Sequence, residues 1–397
     1  MLPVPGRPPG RPPYRRPRAL ALVLLCLLLL GVPLTGCGSG SPAGTGTGAP
    51  SASAEPAERD VRRAVAAWSA APPAALAAIP LEGWSYEVTT VRVDGVRAFV
   101  RAELRYRLTG YDAAPAGSAR EVELAHEGGS WAVTADRPAP GALPQLWDQG
   151  PVSVARGTHA LVLGGAGQDS ASLSAIAAEA DEAVPAASAA WPRPWAGRVV
   201  VLVPGSLDAM AALLGRPAEE YRGLGAVTTG RTGAGPAPAD RVVVNPEGYG
   251  QLTAEGRQVI LTHETTHVAT RAATTSRTPL WLSEGFADWA AYRESDRTPA
   301  EVAPSLARAV RRGDLPADLP GAGAFAFGGD ADALARAYEG SWLACRLIAR
   351  RWGEAALISL YERAGRDSLP AAVQDALGTD PGGLTRAWKE DLAREFR

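Results

Sequence analysis

Two blocks of the chain, His263-Glu264-Thr265-Thr266-His267 and Trp281-Leu282-Ser283-Glu284-Gly285-Phe286-Ala287-Asp288-Trp289, place strict demands on any fold that contains them. Residues four apart on a helix share a face, so a helix through the first block brings both imidazoles to one point and turns Glu264 aside. Two such imidazoles with a carboxylate next to them form a zinc site with its general base built in. A catalytic zinc takes three protein ligands and leaves a fourth position for water, so the pair needs one more donor. Glu284 is the candidate. It follows His267 by seventeen residues, beyond a break at Thr274-Thr275-Ser276-Arg277-Thr278-Pro279, and reads as the start of a second helix folding back on the first. Asp288 then lies at i+4 from Glu284, where its carboxylate can accept the outer N–H of a ligating histidine and fix the tautomer. The competing reading, two histidines merely packed or capping on a helix, has to place half of the four histidines (His126, His159, His263, His267) in this pattern by chance.

The two blocks together resemble the gluzincin metallopeptidases, the group that includes thermolysin and the aminopeptidase N family. The resemblance implies that His263, His267 and Glu284 bind zinc, that Glu264 polarises the attacking water, and that Asp288 supports a ligand from behind. Further on, Ala337-Tyr338-Glu339-Gly340-Ser341 is similar to the Tyr-Glu-Lys-Gly segment of the aminopeptidase N family, with Gly in place of Lys. That likeness implies that the Tyr338 hydroxyl stabilises an oxyanion. The Gly-x-Met-Glu-Asn segment that holds a substrate's N-terminus in those relatives is missing, so exopeptidase action is not supported.

The first residues belong to no fold. Residues 1–18 carry five arginines and no acid, and Ala19 to Leu34 is an apolar run, which together make the basic and hydrophobic regions of a secretory signal. Leu34-Thr35-Gly36-Cys37 resembles the bacterial lipobox, which implies cleavage before Cys37 and lipidation of that cysteine. A retained membrane anchor is the alternative, but about sixteen apolar residues fall short of the roughly twenty that a span requires. The expectation is therefore a signal over 1–36 and a Gly/Ser/Ala/Pro/Thr-rich tether over 37–56 that joins an extracytoplasmic protein to the membrane.

Charge excludes one class of partner. The chain has 40 basic and 42 acidic residues, and removing the five arginines of 1–36 leaves 35 against 42, or −7. A mildly acidic protein gives no reason to expect nucleic acid. With Cys26 in the signal and Cys37 at the lipid site, Cys345 stands alone, inside an apolar helical pattern, and reads as a small buried hydrophobe.

An α+β fold in two domains is expected. Over 57–150, Val61, Ala64, Val65 and Trp68 recur at helical spacing, followed by strands. The first, Trp84 to Val93, ends at the hairpin signal Asp94-Gly95, and the next alternates Val96, Ala98, Val100, Ala102, Leu104, Tyr106 and Leu108 against a row rich in arginine. Glu121 to His126 and Trp131 to Ala135 make a second hairpin, with His126 sharing the parity of Val122 and Leu124 and so reading as a packed histidine rather than a ligand. A leading helix on a curved antiparallel sheet resembles the cone of nuclear-transport-factor-like proteins, which implies either a ligand cavity or a spacer. The arginine row reads as a solvated face.

Over 151–397 the resemblance implies a gluzincin-type domain with a small sheet and a mainly helical active-site half. Its expected strands are 161–163, 199–203 and 241–245; its expected helices are 172–184, 206–214, 253–272, 284–292, 300–311 and 332–351. Thr228 to Ala239 reads as a loop at the cleft rim, and Gly164-Gly165-Ala166-Gly167 as a turn. The function expected is hydrolysis of peptide bonds in a peptide or protein substrate, with one zinc ion per chain. The rival is a lipid-anchored binding protein with a slow or silent peptidase fold. A serine hydrolase lacks support, because Gly205-Ser206-Leu207-Asp208 is not a nucleophile elbow.

Overall fold

A computed structural model describes residues 54–230, 239–326 and 330–397. The expected signal, Cys37, most of the tether and 231–238 of the expected rim loop lie outside the described residues. Among the described residues, no helix is long and apolar enough to cross a membrane. The fold is α+β, with a four-stranded antiparallel sheet and a mostly helical C-terminal half.

The chain opens with α1 (Ala54–Trp68), which packs on a meander of β1 (Leu81–Asp94), β2 (Arg97–Leu108), β3 (Ala116–Glu127) and β4 (Ser130–Pro138). Val61 and Val65 of the helix meet Ala98, Val100, Ala102, Val122 and Leu124 of the sheet, so the period-2 pattern of β2 becomes one face of a core. Two register shifts in β1 bend the sheet.

Two details correct the expectations. Asp94 pairs with Arg97, so the loop residues are Gly95-Val96 rather than Asp94-Gly95. Gly95 takes φ 59°, the left-handed value that lets a two-residue loop follow the twist of its strands, and Val96 is left 67% exposed rather than inside. His126 is also exposed, at the turn end of the β3–β4 hairpin, where its ring packs edge-on against Trp131 at 5.0 Å.

The second sheet combines β5 (Ser153–Arg156), β6 (Ala160–Gly164), β7 (Val199–Val203), β8 (Ala226–Thr229) and β9 (Arg241–Val244) in the order β5-β6-β7-β9-β8. β6, β7 and β9 are parallel, and the two outer strands antiparallel. The parallel strands are covered by α2 (Ser170–Ala190), so they read as continuous apolar runs. α2 continues six residues past the expected end, through Pro185, because Ala187 and Ala190 are buried on its far side. The strands β5 and β8 were not expected: each has four residues, too few for alternation to register. β8 takes Thr228 and Thr229 out of the expected loop.

α3 (Leu207–Leu214) and the short α4 (Pro246–Gly250) lead to the helical half. There α5 (Ala254–Thr270), α6 (Leu280–Ala291), α7 (Pro299–Val302), α8 (Pro304–Arg311), α9 (Ala331–Trp352), α10 (Glu354–Ala364), α11 (Leu369–Leu377) and α12 (Pro381–Glu395) surround a core that includes Phe286, Trp342, Leu347 and Trp388. The helix expected over 300–311 is split at Ala303, since Pro304 disfavours helical backbone in the residue before it. Leu76, Ile79 and Leu108 from the first half share a cluster with Leu161, Leu163 and Val200 of the second sheet. The Arg241 guanidinium grips Asp112 with bonds of 2.6 and 2.8 Å across the same junction.

Candidate metal centre

Helix α5 begins as its sequence asks. Thr253 is the N-cap, its Oγ1 accepting from Gly256 N at 3.1 Å. The helix is buried on nearly every side from Val259 to His267, so its polar residues need internal partners. Two of its threonines find them one turn back: Thr266 Oγ1 donates to Thr262 O at 2.7 Å, and Thr270 Oγ1 to Thr266 O at 2.9 Å.

Helix α6 starts at Leu280 rather than at Glu284, because Pro279 is free to occupy a helix N-terminus and the turn before it is fixed by Thr278 Oγ1 accepting from Thr275 N. Glu284 therefore sits within the helix. A Cβ on Gly285 would come within 2.3 Å of Ser341 O, so the glycine allows α9 to press directly against the backbone behind Glu284.

These helices bring His263, His267 and Glu284 together. His263 Nε2 and His267 Nε2 are 3.0 Å apart, and Glu284 Oε2 lies 3.4 Å from the first and 3.5 Å from the second. The Glu284 distances are too long for hydrogen bonds, and among the described residues Glu284 Oε2 has no hydrogen-bond partner. Asp288 Oδ1 stands 2.7 Å from His263 Nδ1. An ionised carboxylate only accepts, so His263 donates from Nδ1 and turns a lone pair outward at Nε2, the form that binds metal.

The group fits a cation. Metal–ligand bonds of about 2.0–2.1 Å in a tetrahedral array put neighbouring donors roughly 3.3 Å apart, close to the three separations seen here. Charge agrees with geometry. Glu264, Glu284 and Asp288 are all buried, beside imidazoles that are neutral as ligands, and buried charge of one sign requires a counter-ion. Among the described residues, this His-His-Glu group is the one set of donors close enough to hold a metal ion. Burial pushes the Glu284 carboxyl up, but the two imidazoles, His267 foremost, outweigh it and hold the group down to about 2. Asp288 shifts the opposite way: burial, helped by the charge of Glu284, raises it and outweighs the lowering by His263.

Glu264 stands outside the donor set. Its Oε2 accepts from Thr228 Oγ1 at 2.6 Å, while Oε1 has no hydrogen-bond partner among the described residues. Tyr338 is buried in the helical core, edge-on to Phe325 at 5.2 Å between ring centres. It lies three residues before Ser341 on α9, the helix seated on Gly285. Cys345, also against Gly285, is fully buried and its thiol is pushed well up by desolvation, which agrees with a packing role.

Several residues that shape the centre are not visible in the two blocks. Tyr361 Oη reaches Thr274 Oγ1 at 2.8 Å, with Thr270 Oγ1 and Ser283 Oγ at 3.3 Å, and so ties α10 to α5 and α6. Arg271, just after α5, bonds Asp240 Oδ1 at 2.9 Å. Thr228 comes from an unexpected strand. Each joins residues 31 to 91 positions apart, which no local spacing reveals.

No protein-family model and no curated protein matches this chain.

Proposed function

We propose that this protein is an exported, lipid-anchored zinc metallopeptidase of the gluzincin kind. In this reading, Cys37 carries the lipid, and the first sheet is a nuclear-transport-factor-like cone between the tether and the enzyme. The observation that carries the reading is the position of Glu264: buried beside a ligand, outside the donor set, with one oxygen unengaged among the described residues. A purely structural zinc site closes with a fourth protein ligand and has no use for such a carboxylate.

His263, His267 and Glu284 hold the ion, and Asp288 keeps His263 in the binding tautomer. When bound, zinc polarises a scissile carbonyl and lowers the pKa of water toward about 7. Glu264 takes the proton from the attacking water and passes it to the leaving amine. Tyr338, by the resemblance, donates to the oxyanion as charge develops.

One observation favours the rival reading. His263, Glu264, His267, Glu284 and Asp288 are each at most 4% exposed, so a substrate reaches them only after an opening motion. A lipoprotein that holds the metal as part of its framework and binds a partner elsewhere would need no such motion. The test compares wild type with Glu264→Gln on an unfolded protein substrate, with metal content measured in parallel. Turnover should fall by about 10² to 10⁴ at unchanged metal content. Equal turnover would remove Glu264 from the mechanism, and a metal-loaded wild type that cleaves nothing would leave the binding protein as the better reading.

A further inference from the structure

The two oxygens of Glu264 are treated differently by the fold. Thr228 Oγ1 lies 2.6 Å from Oε2 and 3.1 Å from the main-chain carbonyl of Glu264 itself, and Thr228 is fully buried. Oε1 is also shielded, yet has no hydrogen-bond partner among the described residues. The pairing depends on strand β8 lying hard against α5. A Cβ on Gly225, just before the strand, would stand 2.2 Å from Ile260 Cδ1, one turn before Glu264, so the glycine permits the close approach. Thr228 is itself held in register opposite Val242 of β9.

We propose that Thr228 is the positioning residue of Glu264, pinning Oε2 to the sheet so that Oε1 is the oxygen left to exchange a proton with water. The inference rests on the peptidase reading above. The last torsion of a glutamate is broad and roughly two-fold, so an unpinned carboxylate samples many orientations. A β-branched threonine in a strand is stiff at χ1, and its short bond to a carboxylate is of the stronger, charge-assisted kind. A hydroxyl both donates and accepts, so the contact with Oε2 persists whichever of the two oxygens carries the proton.

The experiment compares the full-length wild type with Thr228→Val, which keeps the shape and removes the hydroxyl, and Thr228→Ser, which keeps the hydroxyl. Crystal structures of all three read the orientation of the Glu264 carboxylate, and steady-state kinetics with metal analysis read its consequence. In Thr228→Val, metal content should be retained, the carboxylate should rotate or split over several orientations, and kcat should fall about 10- to 100-fold with KM little changed. Thr228→Ser should restore both the orientation and most of kcat. A single native orientation in Thr228→Val, or a kcat equal to wild type, would overturn the proposal. If Thr228→Val does not fold, Thr228→Ala makes the same comparison. A wild type that cleaves no peptide would sink the peptidase reading alone, and the carboxylate orientation would still decide whether Thr228 holds Glu264.

Discussion

Two of the buried charge clusters among the described residues are built on opposite plans. In the N-terminal sheet, the Arg120 guanidinium makes two bonds to Asp136, both 2.9 Å, and two to Asp148, of 2.8 and 2.9 Å. Tyr86 Oη adds a further donor to Asp136 at 2.7 Å, and Asp148 also accepts from Gln145 N. Nothing in this cluster is left to bind. In the helical half, by contrast, one ligand atom each of His263, His267 and Glu284 converges within 4.8 Å of the others, and Glu264 and Glu284 each keep a buried oxygen without a hydrogen-bond partner among the described residues. A fold can satisfy a buried charge completely, as the first cluster does, so the open valences of the second, next to three converging ligand atoms, make it the group that could hold a metal ion.

Removing the centre of the closed cluster should have the largest effect on the folded state. Arg120→Ala leaves two carboxylates facing each other in a shielded site and should destabilise the protein by roughly 3–5 kcal/mol, read by chemical denaturation, with metal content per folded chain unchanged. A loss under about 1 kcal/mol would mean the cluster is hydrated and the contrast overdrawn.

Tyr338 marks how far the open region extends. If its hydroxyl serves the oxyanion, Tyr338→Phe should lower kcat by about 10² to 10³, equivalent to roughly 2.7–4 kcal/mol, and alter KM far less. If it only packs against Phe325, kcat stays within a few-fold of wild type and the open region ends at the ligands.

Asp288 should give the smallest change. It would act on a bound ion only through His263, so Asp288→Ala should weaken metal affinity about 10- to 100-fold, or roughly 1.4–2.7 kcal/mol, in a competition titration with a chelator. Unchanged affinity would show that the helix alone fixes the His263 tautomer.

The two regions were also unequally legible. The donor set could be read because each pair lies within one helix, where spacing dictates the face: His263 and His267 on α5, Glu284 and Asp288 on α6. The buried face of β2 was equally plain, as six alternate residues from Ala98 to Leu108. Arg120 was not. It shares the parity of Val122 and Leu124, unlike the solvated arginines of β2 such as Arg105 paired with Glu87, but its partners lie 16 and 28 residues away, and parity names no partner. Thr228 stayed hidden for the same reason, compounded by a strand too short to show a period. Local periodicity reveals what one element does with its own residues, and misses contacts that exist only after two elements have docked.

The central claim is that the open valences of the helical half are filled by one metal ion, and metal content tests it most directly. Wild type and Glu284→Ala would be supplied with zinc, dialysed free of excess and analysed by elemental mass spectrometry, with circular dichroism confirming that both are folded. One zinc per wild-type chain and little in Glu284→Ala is the predicted result; a folded wild type without zinc, or a variant as fully loaded as wild type, would contradict it.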